Sequence, residues 1–193
     1  MAGHARYTAL LDACVLYPIT IADALLSLSC SGLFAAKWTK EIESEWVRNL
    51  EKARPELAGK LGRRVAGMRV AAPDWEVAEE QYAALVPCLT LPDPNDVHVL
   101  AAAIAGHADC IVTKNLKDFP AAVLSRHGIE VIHPDDFIVM QLDLDAVAGL
   151  TALKDMRQRR KSPPYTPEEF AQLFDRCELF STAQRMREAA ALI

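Results

Sequence analysis

Leu91-Pro92-Asp93-Pro94-Asn95-Asp96-Val97-His98-Val99-Leu100-Ala101-Ala102-Ala103 sets two carboxylates in a proline-bracketed turn and then runs directly into an apolar, alanine-rich segment. Pro92 and Pro94 oppose helix, while Asp96 is a good N-cap. The spacing therefore predicts a helix that starts at Asp96, with its first turn facing the same mouth as Asp93. After a Gly106-His107-Ala108-Asp109 break, Cys110-Ile111-Val112-Thr113 reads as a buried strand. It leaves through polar Lys114-Asn115 and then Asp118-Phe119-Pro120. Ligands of open parallel sheets gather at the carboxyl ends of strands. The acids at the helix start and the Thr113-x-Asn115-x-x-Asp118 exit are thus expected to converge. Capping alone explains an isolated Asp in such a turn, so the expectation needs acids from elsewhere in the chain.

Such acids lie upstream. Tyr7-Thr8-Ala9-Leu10-Leu11 is a short apolar strand that ends at Asp12. An acid at a strand tip suits the mouth of an α/β fold, although a turn Asp is an alternative. A phosphoryl-transfer Asp of the haloacid-dehalogenase kind is another, but it usually has a second Asp two residues on, where this chain has Cys14. Ile19–Ser29 reads as a helix stopped by Gly32. Thr39 is a plausible cap for a helix through Leu50, in which Trp38, Ile42, Trp46 and Leu50 recur at helical spacing. Glu45 borders that stripe, while Glu41 and Glu43 read as solvated. From Pro55 a helical stretch follows in a region rich in Lys52, Arg54, Lys60, Arg63, Arg64 and Arg69. These cations serve solubility or flank a nucleic-acid groove, and the sequence leaves both open. Val70-Ala71-Ala72 reads as a short strand and Trp75–Leu85 as a helix.

Downstream, Ala121–Arg126 reads as a short helix with Gly128 as its C-cap. Ile129–Ile132 reads as a strand, and Pro134 opens a helix to about Leu142. Strands and helices thus alternate from residue 7 to about 142, the pattern of a parallel sheet with helices on both faces. Residues 1–142 are expected to form this α/β domain and residues 143–193 a helical extension. In the extension, Asp143 is the expected cap of a helix from Leu144 to about Arg159, which ends in the basic run Arg157–Lys161. Thr166-Pro167-Glu168-Glu169 is a capping box with proline at the first helical position. Phe170, Leu173, Phe174 and Cys177 share one face of the helix it opens. Ser181–Gln184 looks like a second box. These apolar faces need cover from the domain, from a second copy in a homodimer or from a partner.

The 193 residues are 51% hydrophobic, which excludes a disordered chain, and the formal net charge of -5 argues against coating nucleic acid through bulk positive charge. It leaves open a local groove for a short stretch of RNA or DNA. The cysteines (Cys14, Cys30, Cys88, Cys110, Cys177) are odd in number and lack Cys-x-x-Cys spacing. A disulfide framework or zinc site is not expected, and a reducing cytoplasm is. His4, His98, His107, His127 and His133 show no metal-ligand pair, although His98 sits at the helix start. No charged-then-apolar leader is read at the N-terminus, and no apolar run approaches the ~20 residues that span a bilayer. No Walker loop or Gly-x-Gly-x-x-Gly fingerprint is present.

Four pieces in order resemble the PIN-domain nucleases, including the VapC-type toxins of bacterial toxin–antitoxin pairs. They are Leu11-Asp12-Ala13-Cys14-Val15-Leu16, Thr39-x-x-Ile42-x-x-Glu45, Asp93-Pro94-x-Asp96-x-x-Val99-Leu100-Ala101-Ala102-Ala103, and Ile111-Val112-Thr113-Lys114-Asn115-x-x-Asp118-Phe119-Pro120. The resemblance covers residues 7 to about 142 and implies a three-layer α/β/α fold. It matches Asp12, Glu45 and Asp96 to the family's first three acids. For the fourth, the family often has an acid two residues after the Thr, where this chain has Asn115, and Asp118 stands as substitute. Thr39 stands where many members have Ser. The resemblance implies a Mg²⁺- or Mn²⁺-dependent endoribonuclease that leaves a 5′-phosphate and a 3′-hydroxyl and has an antitoxin protein as partner. Asp12, Asp96 and Asp118 would hold metal, Glu45 would bind metal or orient water, and Thr113, Asn115 and Asp93 would position water or phosphate. Oxygen ligands without Cys or His suit Mg²⁺ or Mn²⁺ on chemical grounds as well. A catalytically silent PIN-like module that binds RNA or protein is the alternative.

Overall fold

Four short parallel strands form the centre of the chain in the computed structural model, which describes residues 6–193. His4 and the leading residues read for a signal peptide lie outside the described residues. Strand β1 (Thr8–Leu11) pairs on one side with β2 (Ala35–Lys37) and on the other with β3 (Cys110–Val112), and β3 pairs with β4 (Glu130–Ile132). The order β2-β1-β3-β4 reverses direction between β1 and β3. Strands β1 and β3 are almost wholly buried, as expected of a parallel sheet covered on both faces. With its helices the sheet makes the expected three-layer α/β/α fold.

Helix α1 (Ala13–Leu16) leaves β1 at Asp12, and α2 (Ile19–Cys30) follows Pro18. Gly32, at φ +86°, turns the chain back towards β2, an edge strand not assigned from sequence. Helix α3 (Lys40–Ala53) is capped as expected, with the Thr39 side chain accepting from Ile42 N. Trp38, Ile42, Trp46 and Leu50 are all buried. Burying a side chain of this kind stabilises by roughly 1.5–3 kcal/mol. Glu43 departs from the solvated reading. It is buried and accepts from the Arg69 guanidinium at 2.5 and 3.1 Å.

Two expectations between residues 70 and 85 are corrected. Val70, Ala71 and Ala72 are not a strand: helix α4 (Gly62–Ala71) continues to Ala71 before Pro73 stops it. Met68 and Ala72, four apart, are its buried positions, and Val70 points to solvent. A three-residue apolar run carries too little periodicity to distinguish the two. Trp75–Leu85 is helical only in α5 (Glu79–Tyr82). The residues before it are extended, because Trp38 and Glu76 form a parallel bridge and the two indoles of Trp38 and Trp75 stack at 4.9 Å.

After α6 (Val97–Ala105), β3, α7 (Ala121–Leu124) and β4, α8 (Pro134–Leu144) leads into α9 (Ala146–Arg159), α10 (Pro167–Asp175) and α11 (Phe180–Glu188). The cap of α9 is Asp145, which accepts from Ala148 N at 2.9 Å, and not Asp143, which sits in the last turn of α8 and pairs with Arg185. The Thr166 capping box on α10 forms as expected. The second box does not. Ser181 and Thr182 lie inside α11, and their amides donate to the buried Asp135 carboxylate of α8 at 2.9 and 2.7 Å. The Thr182 hydroxyl adds a third bond at 2.7 Å. A helix N-terminus is thereby capped from a distant element, which local sequence spacing cannot show.

Phe170 and Phe174 are fully buried and in edge contact, while Leu173 and Cys177 are half-buried against the core. The extension therefore packs on the α/β domain: α9 and α10 lie against α2, and α11 against α8. Among the described residues no helix is long and apolar enough to cross a membrane.

The Asp135 clasp carries a stability prediction. Burial alone would raise its carboxyl pKa, but the donors from Thr182 and Ser181 outweigh it and hold the value low. A depressed carboxylate contributes stability above its unfolded value, lost as pH falls through the folded one. Asp135→Ala is expected to lower stability by about 1–3 kcal/mol. Denaturant melts of the two proteins at neutral pH and at about pH 3 check it, with the difference shrinking in acid.

Candidate metal centre

The site is built where the strand order reverses. Asp12 follows β1, and Thr113 follows the neighbouring β3, so the two side chains meet at the carboxyl edge of the sheet. Asp12 is buried, and its backbone N–H donates to Val112 O at 3.2 Å. One carboxylate oxygen accepts from Ala13 N at 2.6 Å, capping α1. The other accepts from the Thr113 hydroxyl at 2.7 Å and from the Cys14 thiol at 3.1 Å. Thr113 Oγ1 in turn accepts from Asn115 N at 3.0 Å, and Cys14 Sγ accepts from Lys114 N at 3.2 Å. This network fixes Asp12 before any ligand arrives.

The opening stretch supplies the opposite wall, with one correction to its local reading. Asp96 does not cap α6. It already has helical dihedrals (φ -90°, ψ -4°) as the last residue of a 3-10 turn, Pro94–Asp96, and makes no capping bond. An N-cap side chain needs extended backbone, and here Asp93 has it, accepting from Asn95 N at 2.9 Å. Relieved of capping, Asp96 turns towards the other acids. Asp93, Asp96 and Asp118 each offer a carboxylate oxygen, and these three lie within 4.8 Å of one another. Asp118 is steadied by the Asn115 side-chain amide, which donates to it. Asp93 thus sits inside the cluster and not merely beside it.

Electrostatics ties in the remaining acids. Burial, then the charges of Asp12, Asp93, Asp118 and Glu45, raise the Asp96 carboxyl to about 7. Asp96 Oδ2 is buried without a hydrogen-bond partner. Glu45, on α3, is also raised, first by burial and then by Asp12, with Arg48 opposing and Glu41 and Asp93 adding. His98, which the sequence places at the helix start, and Cys14, which it did not assign to the site, complete the surroundings. His98, the second residue of α6, is half-buried, with Nε2 3.9 Å from Glu45 and Nδ1 3.5 Å from Glu41. Burial holds its pKa down against the Glu41 and Asp12 charges. Cys14 carries the second contact to Asp12, and burial pushes its thiol up to about 12, so it acts as a hydrogen-bonding group and not a nucleophile. Its position two residues after an acid at a strand tip was the only sequence signal available.

The basic stretch contributes less than its composition suggested. Arg64 donates to the carbonyls of Leu16 and Tyr17 and lies over the Trp46 ring, and Arg69 pairs with Glu43. Lys52, Arg54, Lys60 and Arg63 remain exposed. Chemically, a half-buried cluster of carboxylates, with Asp96 Oδ2 unpartnered, fits a hard divalent cation. A proton on Asp96 is the alternative way to relieve the repulsion.

Comparisons with known proteins agree with this picture. A family profile described as "PIN domain" matches residues 8–117, and one described as "VapC50 C-terminal domain" matches residues 134–188. "Putative ribonuclease VapC50" of Mycobacterium tuberculosis is 46% identical over 72 residues, which are 37% of this chain and 43% of that protein. The chain therefore aligns with less than half the length of this curated relative. No solved structure matches it significantly.

The raised Asp96 sets a pH signature. Because the folded chain binds this proton more tightly than the unfolded one, the cost is absent below about pH 4 and fully developed above about pH 7. Metal-free protein is expected to lose stability across that window, and Asp96→Asn to flatten the loss and melt no lower than wild type at pH 8. Melting curves against pH in a chelator check both. A mutant that melts clearly lower at pH 8 would mark Asp96 as structural.

Proposed function

This chain belongs to the PIN-domain family, and on that premise we propose that it is a metal-dependent endoribonuclease, the toxin of a toxin–antitoxin pair. The observation that carries the reading is the set of three carboxylate oxygens, one each from Asp93, Asp96 and Asp118, within 4.8 Å of one another, on a residue, Asp96, whose Oδ2 is buried and unpartnered. The likeness to a protein named putative ribonuclease VapC50 supports RNA as the substrate class, and the match to a VapC50 C-terminal domain supports the toxin reading. In this reading residues 1–142 carry the chemistry and residues 143–193 are an extension that covers the domain. The working place is the cytoplasm, where RNA and a cognate antitoxin meet.

Asp12, Asp96 and Asp118 are the proposed ligands of Mg²⁺ or Mn²⁺. When bound, the cation supplies positive charge for the phosphodiester and makes water more acidic. The chain's own groups do the rest. Thr113 and Ala13 N hold Asp12 in one rotamer. Asn115 fixes Asp118 by its amide and Thr113 by its backbone N–H. Asp93 lines the same opening. Glu45, with its raised carboxyl beside His98, orients the attacking water and takes up its proton at a carboxylate oxygen. Water attacks phosphorus, the P–O3′ bond breaks, the departing O3′ takes a proton from solvent, and the products are a 5′-phosphate and a 3′-hydroxyl.

Incubation of purified protein with single-stranded RNA tests the proposal. Cleavage is expected with Mg²⁺ or Mn²⁺ and none with a chelator. Asp12→Asn and Asp96→Asn should each lose more than the roughly 10–100-fold that outer-shell partners of a metal site cost, with folding intact by circular dichroism. Metal binding without cleavage of any RNA would favour a binding module, and cleavage by Asp96→Asn at the wild-type rate would remove the metal-site assignment.

A further inference from the structure

The corner between α10 and α11 touches the site loop. Lys114 directly follows Thr113, and its backbone N–H donates to Cys14 Sγ within the Asp12 network. Its side chain turns the other way. Lys114 Nζ donates to Glu178 Oε2 at 2.8 Å and to the Cys177 carbonyl at 3.3 Å. The corner is itself anchored close by, since Leu179 is buried and Ser181 and Thr182 bond Asp135.

The backbone of Glu178 is unusual. Its φ is +63°, in the left-handed region, and it closes α10 with Glu178 N bonded to Asp175 O and Leu179 N bonded to Phe174 O. That is a Schellman turn, whose left-handed residue is normally glycine because a side chain is disfavoured there. A glutamate at this place makes the turn less stable than glycine would. The side chain, itself mostly exposed, has one ion-pair contact, the Lys114 ammonium at 2.8 Å.

We infer that Glu178 is a positioning residue: the extension holds the loop from Thr113 to Asp118 in its site geometry by gripping Lys114. This inference rests on the hydrolytic reading of the site. It assigns the extension a task beyond covering apolar surface, because the grip fixes the peptide whose neighbours order Asp12 and Asp118. Outliers of backbone conformation persist where the surroundings have a use for them, and here the use would be the carboxylate.

Strain and tether predict opposite effects, which makes the inference testable. Glu178→Gly relieves the backbone and removes the tether. Its melting temperature is expected to equal or exceed wild type, while kcat for RNA falls about fivefold with KM nearly unchanged. Glu178→Gln, which keeps an acceptor oxygen, should recover most of the rate. Lys114→Met removes both contacts and should cost more than Glu178→Gly. A readout independent of cleavage is hydrogen exchange at the amides of Lys114 and Asn115, together with calorimetric Mn²⁺ binding. In Glu178→Gly the amides should exchange faster and Mn²⁺ should bind more weakly. Unchanged exchange and unchanged kcat would overturn the inference, as would faster cleavage, which would mean that Glu178 restrains Lys114 instead. If wild type cuts no RNA, the functional proposal fails, and exchange with Mn²⁺ binding still decides the tether.

Discussion

Repulsion among carboxylates at the carboxyl edge of the sheet is the constraint on which this structure turns. Asp93, Asp96 and Asp118 bring oxygens within 4.8 Å, and Asp12 and Glu45 are close enough for their charge to press on Asp96. Such crowding lowers stability unless a proton or a cation relieves it. Folding is driven from elsewhere, by a continuous apolar core from β1 to α11. Part of that stability is spent to keep the acids together, the usual relation between a reactive site and its scaffold. The raised Asp96 carboxyl is the electrostatic mark of that crowding.

Rigidity comes from hydrogen bonds arranged in depth behind the acids. Each oxygen of Asp12 is held, Thr113 is held by Asn115, and Asn115 also holds Asp118. The sheet sets the spacing of Asp12 and Thr113 through the paired ends of β1 and β3. The extension then closes on the same loop at Lys114, while Asp135 secures α11 behind it. A C-terminal helical segment in this position belongs mechanically to the site.

The fold was legible where an apolar run was bounded by clear breaks, where helical periodicity ran long, or where a cap residue stood at a helix start. The buried strand Cys110–Val112, the stripe Trp38, Ile42, Trp46 and Leu50, and the Thr39 and Thr166 caps all form as read. Short or non-local features were not. Val70–Ala72 could not be told from helix over three residues, and Trp75 is extended because Trp38, far away in sequence, stacks on it. Asp135 caps a helix 46 residues on, a bond that no window of sequence contains. The acids of the site were readable as types at strand ends and helix starts. Their division of labour was not, since the exchange of capping between Asp96 and Asp93 depends on backbone dihedrals within a proline-bracketed turn.

On the proposed reading these acids hold a divalent cation. Anomalous diffraction from crystals of the protein soaked in Mn²⁺ tests it without reference to any substrate. The account predicts a single strong peak in contact with carboxylate oxygens of Asp96 and Asp118, and bonded to Asp12 directly or through water. No peak at that edge of the sheet, or a peak only at surface carboxylates away from Asp12 and Asp96, would contradict it.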